Sequence, residues 1–329
     1  MIKQSLYPLK FTPILKETVW GGEKLRSCYN KQTTSSSVGE SWELSGVKEN
    51  ISIISNGELA GVSLTEILKT DSIAILGERV VEKFGNEFPL LVKFIDAQEN
   101  LSVQVHPNDV LAKKRHNSFG KTEMWYILQN DPDAKLVLGF NKKLDKDEYL
   151  RKANDGTIED VLNYQAVTPN EAFLIPAGLV HAIGKGIVLI EVQQTSDLTY
   201  RIYDYNRKDK DGNSRKLHIQ DSVDAIDFSA KPVKMTEKMG NSKGIKRIAE
   251  CKYFNVETID LSLIKKYDTE ALKQIDSFVI LICFDGHATL EYDQGLEEIT
   301  KGETILLPAV LKNTVLLSGD AKFLEAYIQ

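Results

Sequence analysis

From residue 101 to residue 192 the apolar residues come in runs of strand length, bounded by glycine or proline. Residues 101–106 alternate, 124–128 and 172–175 are continuous, Pro176-Ala177-Gly178 is a turn, and 187–192 is a further apolar strand. Many short strands punctuated in this way point to a β-barrel or jelly roll. The pattern returns at residues 278–283, 288–292, 303–307 and 322–327. There Gly302-Glu303-Thr304-Ile305-Leu306-Leu307-Pro308-Ala309 echoes Asn170-Glu171-Ala172-Phe173-Leu174-Ile175-Pro176-Ala177. The echo predicts two related barrels, the second without a histidine where His181 stands in the first. A lysine-rich stretch at 231–246, holding Gly240 and Gly244, reads as the linker. It divides the chain into units 1–235 and 236–329.

Other segments are read more simply. Ser63 is a plausible cap for a helix carrying Leu64, Ile67 and Leu68, with Glu66 in its first turn. Residues 145–163 suit a helix. Trp20-Gly21-Gly22 reads as a turn, while 33–37 and 208–216 read as loops. Residues 39–45 suit a strand with Glu40 and Trp42 on one face.

Polar residues inside these strands carry the chemical signal. Gln104 and His106 are two apart, so on a strand they leave the same face. Glu123 and His181 are expected on other strands of the same sheet. Two imidazoles, a carboxylate and an amide oxygen make a mixed nitrogen and oxygen set for a divalent transition metal. No cysteine is among them, which favours an open metal that holds water or a substrate oxygen over a closed structural zinc. Lys93 interrupts the apolar run 90–95, so its ammonium either reaches the surface or points into a polar cavity.

Bulk properties narrow the setting. The 329 residues are 42% hydrophobic and 27% charged, as in soluble globular proteins. A net charge of −6 argues against a general nucleic-acid binder but leaves room for a local positive pocket. Three scattered cysteines suggest a reducing compartment. Neither a signal-peptide pattern nor a bilayer-length apolar run is present, so a cytoplasmic protein is expected.

Four ordered motifs give a family resemblance. Gln-Val-His-Pro-Asn-Asp at 104–109, Lys-Thr-Glu-Met-Trp-Tyr at 121–126, Ile-Pro-Ala-Gly-Leu-Val-His at 175–181 and the segment from Glu191 to Arg207 resemble the type I mannose-6-phosphate isomerases. These are zinc enzymes of the cupin superfamily, and the resemblance to their shorter bacterial branch is strongest over 89–207. It implies a mainly β chain of two cupin-like jelly-roll barrels with a few helices and no large helical insertion. Carried across, the metal ligands fall on Gln104, His106, Glu123 and His181, holding one Zn2+ per chain or another divalent metal. The catalytic arginine falls on Arg201. Lys93, Ser102, Lys121 and Glu191 match positions lining the substrate pocket, with Lys93 and Ser102 read as substrate contacts. The implied reaction interconverts D-mannose 6-phosphate and D-fructose 6-phosphate through a cis-enediol. Glu191 is the first choice for the proton-transfer base, with Lys121 or Lys93 as rivals if burial lowers their pKa. The implied partner is a small sugar phosphate, with neither nucleic acid nor membrane involved, and the chain is expected as a monomer or homodimer.

Taken singly, each residue also has a plainer reading. Arg201 pairs with Asp197 or Asp204 on a surface turn, Lys121 is an exposed charge, and Glu191 is solvated at a strand end. Trp42, Trp125 and Tyr126 are core packing. His116 and His218 face solvent, and His287 lies in a turn. Two other readings of the whole chain compete: a different cupin such as a metal-dependent oxygenase, and a sugar-phosphate-binding bicupin without turnover. The Arg201 segment and the lysines favour the isomerase, because they suit an anionic sugar.

Overall fold

Strands Leu90–Ala97 and Ile187–Gln194 have no exposed residue, and the fold follows from what covers their two faces. In the computed structural model, which describes residues 6–208, 211–231, 233–235, 238–239, 244–272, 275–311 and 315–329, they pair antiparallel at the centre of a sheet. Among the described residues that sheet has seven strands. Their order is Val233–Met235, Ala172–Ile175, Glu123–Asn130, Ile187–Gln194, Leu90–Ala97, Val38–Ser45 and Ile14–Gly22. A second sheet of five runs Tyr200–Tyr203, Val103–Val105, His181–Ile183, Lys135–Phe140 and Leu162–Ala166.

Alternation along the strands sorts their side chains. Ile95, Leu189 and Ile127 sit side by side in register and pack with Leu136, Leu138 and Ile183 of the five-stranded sheet, giving a dry layer inside the sandwich. One step along, the same face carries Lys93, Glu191 and Trp125 in one row, and the next step carries Gln193 beside Glu123. The interior thus turns from apolar to polar along the strands without any change of face.

The opposite face presents Val92, Phe94, Met124, Tyr126, Ile190 and Val192. These pack on Ile280, Ile282, Leu306 and Leu324 of the C-terminal sheet, and on Leu64, Ile67 and Leu76 of helix Leu64–Leu76. A strand buried on both faces must be apolar at consecutive positions, which is why residues 187–192 read as an unbroken run. Ser63 caps that helix as expected, exchanging hydrogen bonds with Glu66. The outer face of the five-stranded sheet is covered by helices Lys146–Asn154 and Ile219–Ala225.

The chain is mainly β, and its helices are short. The expected helical stretch at 145–163 is only in part a helix, since Leu162–Ala166 joins the five-stranded sheet after a 3-10 turn. Trp20-Gly21-Gly22 ends the strand Ile14–Gly22 and is not a turn. His287 lies within the long strand Val279–Tyr292, not in a turn. Of the expected linker, residues 232, 236–237 and 240–243 lie outside the described residues, as do 209–210 of the expected loop. The linker also contributes a strand, Val233–Met235, which pairs with Ala172–Leu174. Leu9–Thr12 pairs with Thr304–Leu307, so the chain's first described strand is hydrogen-bonded into the C-terminal sheet.

One buried carboxyl in that sheet sets a pH dependence. Burial pushes Glu325 from 4.5 up to about 8, with Glu257 adding repulsion, and Tyr267 donates to it at 3.1 Å. Between those values the folded chain holds a proton that the unfolded chain has released. Stability therefore falls as pH rises from about 4.5 towards 8, by a total on the order of 5 kcal/mol. Glu325→Gln should raise the thermal midpoint at pH 8 and leave it nearly unchanged at pH 4.5. Equal effects at both pH values would show that Glu325 ionises normally in the folded chain.

Candidate active site

Three ligand-bearing side chains meet at the polar end of the sandwich. His106 follows the strand Val103–Val105, His181 opens the strand His181–Ile183, and Glu123 opens Glu123–Asn130. The histidines come from the five-stranded sheet and Glu123 from the seven-stranded one, so the group bridges two sheets instead of lying on one as expected. His106 Nε2 lies 3.1 Å from His181 Nε2 and 3.3 Å from Glu123 Oε1, and His181 Nε2 lies 3.7 Å from Glu123 Oε2. All three residues are 1% exposed.

Backbone carbonyls fix the tautomers. His106 Nδ1 donates to Leu198 O at 2.7 Å, and His181 Nδ1 donates to Leu179 O at 2.8 Å. Each Nε2 is then left as a lone-pair donor facing the other. Glycine makes the turn before His181 possible: Gly178 has φ +93°, and its N–H donates to His106 O at 2.9 Å. That bond ties the two histidine segments together.

The electrostatics suit a cation. Burial pushes His106 down to about 4, helped by Lys121, and burial also pushes His181 down, so both rings are neutral near pH 7. Burial alone would raise Glu123, but Lys121 and His106 hold it well below the usual carboxylate range. Neither Glu123 oxygen accepts a well-angled hydrogen bond, although Lys121 Nζ lies 2.5 Å from Oε1. Two neutral imidazole nitrogens and a buried carboxylate with unsatisfied oxygens are the donor set of a divalent metal. The group can hold a metal ion. Gln104 stands directly across the strand pair from His181 and lines the adjoining cavity.

That cavity, of about 150 Å³, is walled by Lys93, Ser102, Gln104, Lys121, Glu191 and Arg201 among others. Lys93, Ser102, Gln104, Lys121, Glu191 and Arg201 therefore share one cavity, and Lys121 Nζ reaches from its wall to His106 Nε2 at 3.2 Å and Glu123 Oε1 at 2.5 Å. Lys121 is 5% and Glu191 3% exposed, so neither the exposed charge nor the solvated strand end is found. Glu191 accepts from Trp125 Nε1 at 2.8 Å and pairs with Lys93 Nζ at 2.8 Å. Burial opposes the charge on Lys93, but Glu191 and Glu40 outweigh it and push its pKa up. Lys93 is thus a fixed cation and not the lowered-pKa base weighed for it. Trp42 and Trp125 are cavity walls as well as packing, and Tyr126 faces the other core.

Arg201 pairs with neither Asp197 nor Asp204. Asp204 instead takes Arg207, at 2.5 Å, and Arg215 Nε, at 2.8 Å. Arg201 Nε donates to Ser102 Oγ at 3.3 Å and Nη1 to Lys216 O at 3.0 Å. His218 is half-buried, not solvent-facing: its Nδ1 accepts from the Arg201 N–H, and its own N–H donates to Arg201 O. His116 is exposed but bonds Tyr200 OH at 2.8 Å. Sequence reading missed Glu40, Arg215 and His218 as site residues. Glu40 had a signal, the shared face with Trp42, whose register partner is Lys93. His218 and Arg215 had none, since only the fold brings their loop beside Arg201.

Comparison with known proteins agrees with this geometry. The family model "Phosphomannose isomerase type I, catalytic domain" matches residues 8–138, and "Mannose-6-phosphate isomerase, cupin domain" matches 244–328. Mannose-6-phosphate isomerase ManA of Bacillus subtilis is 35% identical over 92% of this chain and 93% of its own length. The Streptococcus mutans mannose-6-phosphate isomerase is 32% identical over 97% and 98%. A crystal structure of the mannose 6-phosphate isomerase from Bacillus subtilis superposes with a TM-score of 0.88 at 30% identity, covering 98% of this chain and all of that one. Identity at this level over nearly the full length decides the matter: the chain belongs to the type I mannose-6-phosphate isomerases.

Proposed function

We propose that this chain interconverts D-mannose 6-phosphate and D-fructose 6-phosphate, with zinc, or alternatively manganese or cobalt, held by Gln104, His106, Glu123 and His181. The observation that carries the reading is the convergence, in one cavity, of a buried carboxylate, fixed cations and an arginine with no carboxylate partner among the described residues, beside the three-donor group. A cation bound there supplies Lewis acidity towards the sugar's carbonyl and hydroxyl oxygens.

The reaction removes a proton from C2 of the open-chain aldose and returns one to C1, while a hydroxyl proton passes from O2 to O1. Glu191 is the proton carrier, held between Trp125 Nε1 and Lys93. Lys121 is the second candidate for a proton role, at the junction of the cavity and the donor group. Arg201 stays charged in spite of burial and of Arg215 and Arg207, which lower its pKa, and braces the enediolate oxygen. Ser102 and Arg215, beside Arg201 in the wall, are suited to the phosphate, and Lys93 adds fixed positive potential. In this reading residues 1–235 form the catalytic unit and 236–329 carry no metal. Among the described residues no helix is long and apolar enough to cross a membrane, and we place the reaction in the cytoplasm.

A coupled assay for fructose 6-phosphate formed from mannose 6-phosphate tests the reading. Turnover should vanish on chelation and return with zinc. A folded chain inactive with zinc, manganese and cobalt alike would point to another cupin activity or to a binding role.

A further inference from the structure

We infer that Asp109 and Tyr253 are positioning residues for Lys121, so that the C-terminal unit takes part in setting the active-site geometry; the role in turnover rests on the isomerase reading above. Lys121 enters the site from a short segment, 120–122, just before the strand that begins with Glu123. Each of its three consecutive amides is held. Gly120 N–H donates to Asp109 Oδ1 at 3.1 Å, Lys121 N–H to Pro107 O at 3.2 Å, and Thr122 N–H to Gln194 Oε1 at 2.9 Å. Gln194 is itself fixed by Asp109, because its Nε2 donates to the same Oδ1 at 2.9 Å. Two of the three amides therefore depend on one carboxylate oxygen.

The other oxygen of Asp109 faces the C-terminal unit. Tyr253 OH donates to Oδ2 at 2.6 Å, and Lys252 Nζ lies 3.5 Å away. Both residues sit in the turn between strands Ile245–Glu250 and Asn255–Asp260. A charge-assisted bond that short orients the carboxylate, and with it the direction in which Oδ1 receives Gly120 and Gln194. The fit is close. A Cβ on Gly120 would lie 2.6 Å from Asp109 N and 2.9 Å from Asp109 Oδ1, so the segment approaches the start of the helix Asp109–His116 in a way that glycine alone allows. A tie that served only to join the two units could end anywhere on the first. This one ends on the amides flanking a buried lysine whose Nζ contacts both His106 and Glu123. Misplacing such a group by a fraction of an ångström costs turnover more than it costs binding.

The test compares zinc-loaded parent chain, Asp109→Ala, Asp109→Asn, Tyr253→Phe and the Asp109→Ala/Tyr253→Phe pair. The readouts are kcat and KM for mannose 6-phosphate, zinc stoichiometry, and hydrogen exchange at Gly120, Lys121 and Thr122. Asp109→Ala should lower kcat about 50-fold with KM and zinc nearly unchanged. Asp109→Asn keeps an Oδ1 acceptor and should recover most of that loss. Tyr253→Phe should cost about fivefold in kcat, and nothing further on the Asp109→Ala background, because its effect passes through Asp109. Exchange at Gly120 and Thr122 should quicken in Asp109→Ala. Normal kcat in both single variants, or additive losses in the pair, would overturn the inference. If Asp109→Ala does not fold, Tyr253→Phe decides alone, since it removes one oxygen and keeps the ring. If the parent chain does not turn over, the isomerase reading fails, and unchanged exchange in the variants would separately refute the tether.

Discussion

His181→Ala should lose metal and turnover together. The His181 Nε2 atom is one of three clustered donors, its ring fixed by the Leu179 carbonyl, and its removal leaves His106 and Glu123 at 3.3 Å with no third ligand of the cluster. Even a lost outer-shell partner of a metal ligand costs about 10- to 100-fold in affinity, so loss of the ligand itself should exceed roughly 100-fold. Residual activity should follow residual metal at each zinc concentration. Metal content by atomic absorption, measured on the same sample as the assay, checks this. His287→Ala provides the control: it truncates a histidine on the C-terminal strand Val279–Tyr292 and should keep full metal content. A His181→Ala chain that is metal-free yet fully active would remove the site as described.

The parts of this site that were legible in the sequence share a physical origin. Gln104 lies on the strand Val103–Val105 and His106 one residue past its end, two apart, so strand periodicity sends both to one face, while Lys93 stands out as a charge inside an apolar run. The turn Pro176-Ala177-Gly178 announces its own geometry, because Gly178 needs a positive φ. The Ser63 cap was equally local, its signal and its hydrogen bonds lying within four residues. Register between strands was not legible. That Trp42 stands beside Lys93, and Lys93 beside Glu191, depends on pairings between segments far apart in the chain. Glu40 therefore escaped notice, although its carboxylate helps keep Lys93 charged.

The same limit explains the misplaced roles. The sequence context of His218 is polar, yet the loop that carries it folds over Tyr200–Tyr203 and clamps the backbone of Arg201. Taken singly, Lys121 and Glu191 read as surface charges, because their neighbours in sequence do not reveal the facing sheet that buries them; only the family resemblance assigned them to the pocket. Asp109 belongs to a visible motif, but its partner Tyr253 lies 144 residues away and in the other unit.

Arg201→Ala should leave metal content and thermal midpoint nearly unchanged while turnover falls by about 100- to 1,000-fold, the effect of deleting one donor aimed at developing negative charge. Three features of the structure separate that outcome from the loss of a surface ion pair. Asp204, the carboxylate nearest in sequence, is already satisfied by Arg207 and Arg215, so truncating Arg201 strands no anion. The protein contacts of the guanidinium, Nε to Ser102 and Nη1 to the Lys216 carbonyl, steady it without neutralising it. Its backbone is held on both sides by His218, independently of the side chain, so the strand Tyr200–Tyr203 should survive truncation. Arg201→Lys keeps the charge but lacks the planar fork that engages Ser102 and Lys216 while still facing the cavity, and should recover only part of the activity. The comparison to make is kcat at saturating mannose 6-phosphate against zinc stoichiometry in the two variants. Normal turnover in Arg201→Ala would make the residue a structural anchor for the loop at Lys216. Loss of zinc along with turnover would place Arg201 in support of the metal ligands, since Gln104 is its register neighbour.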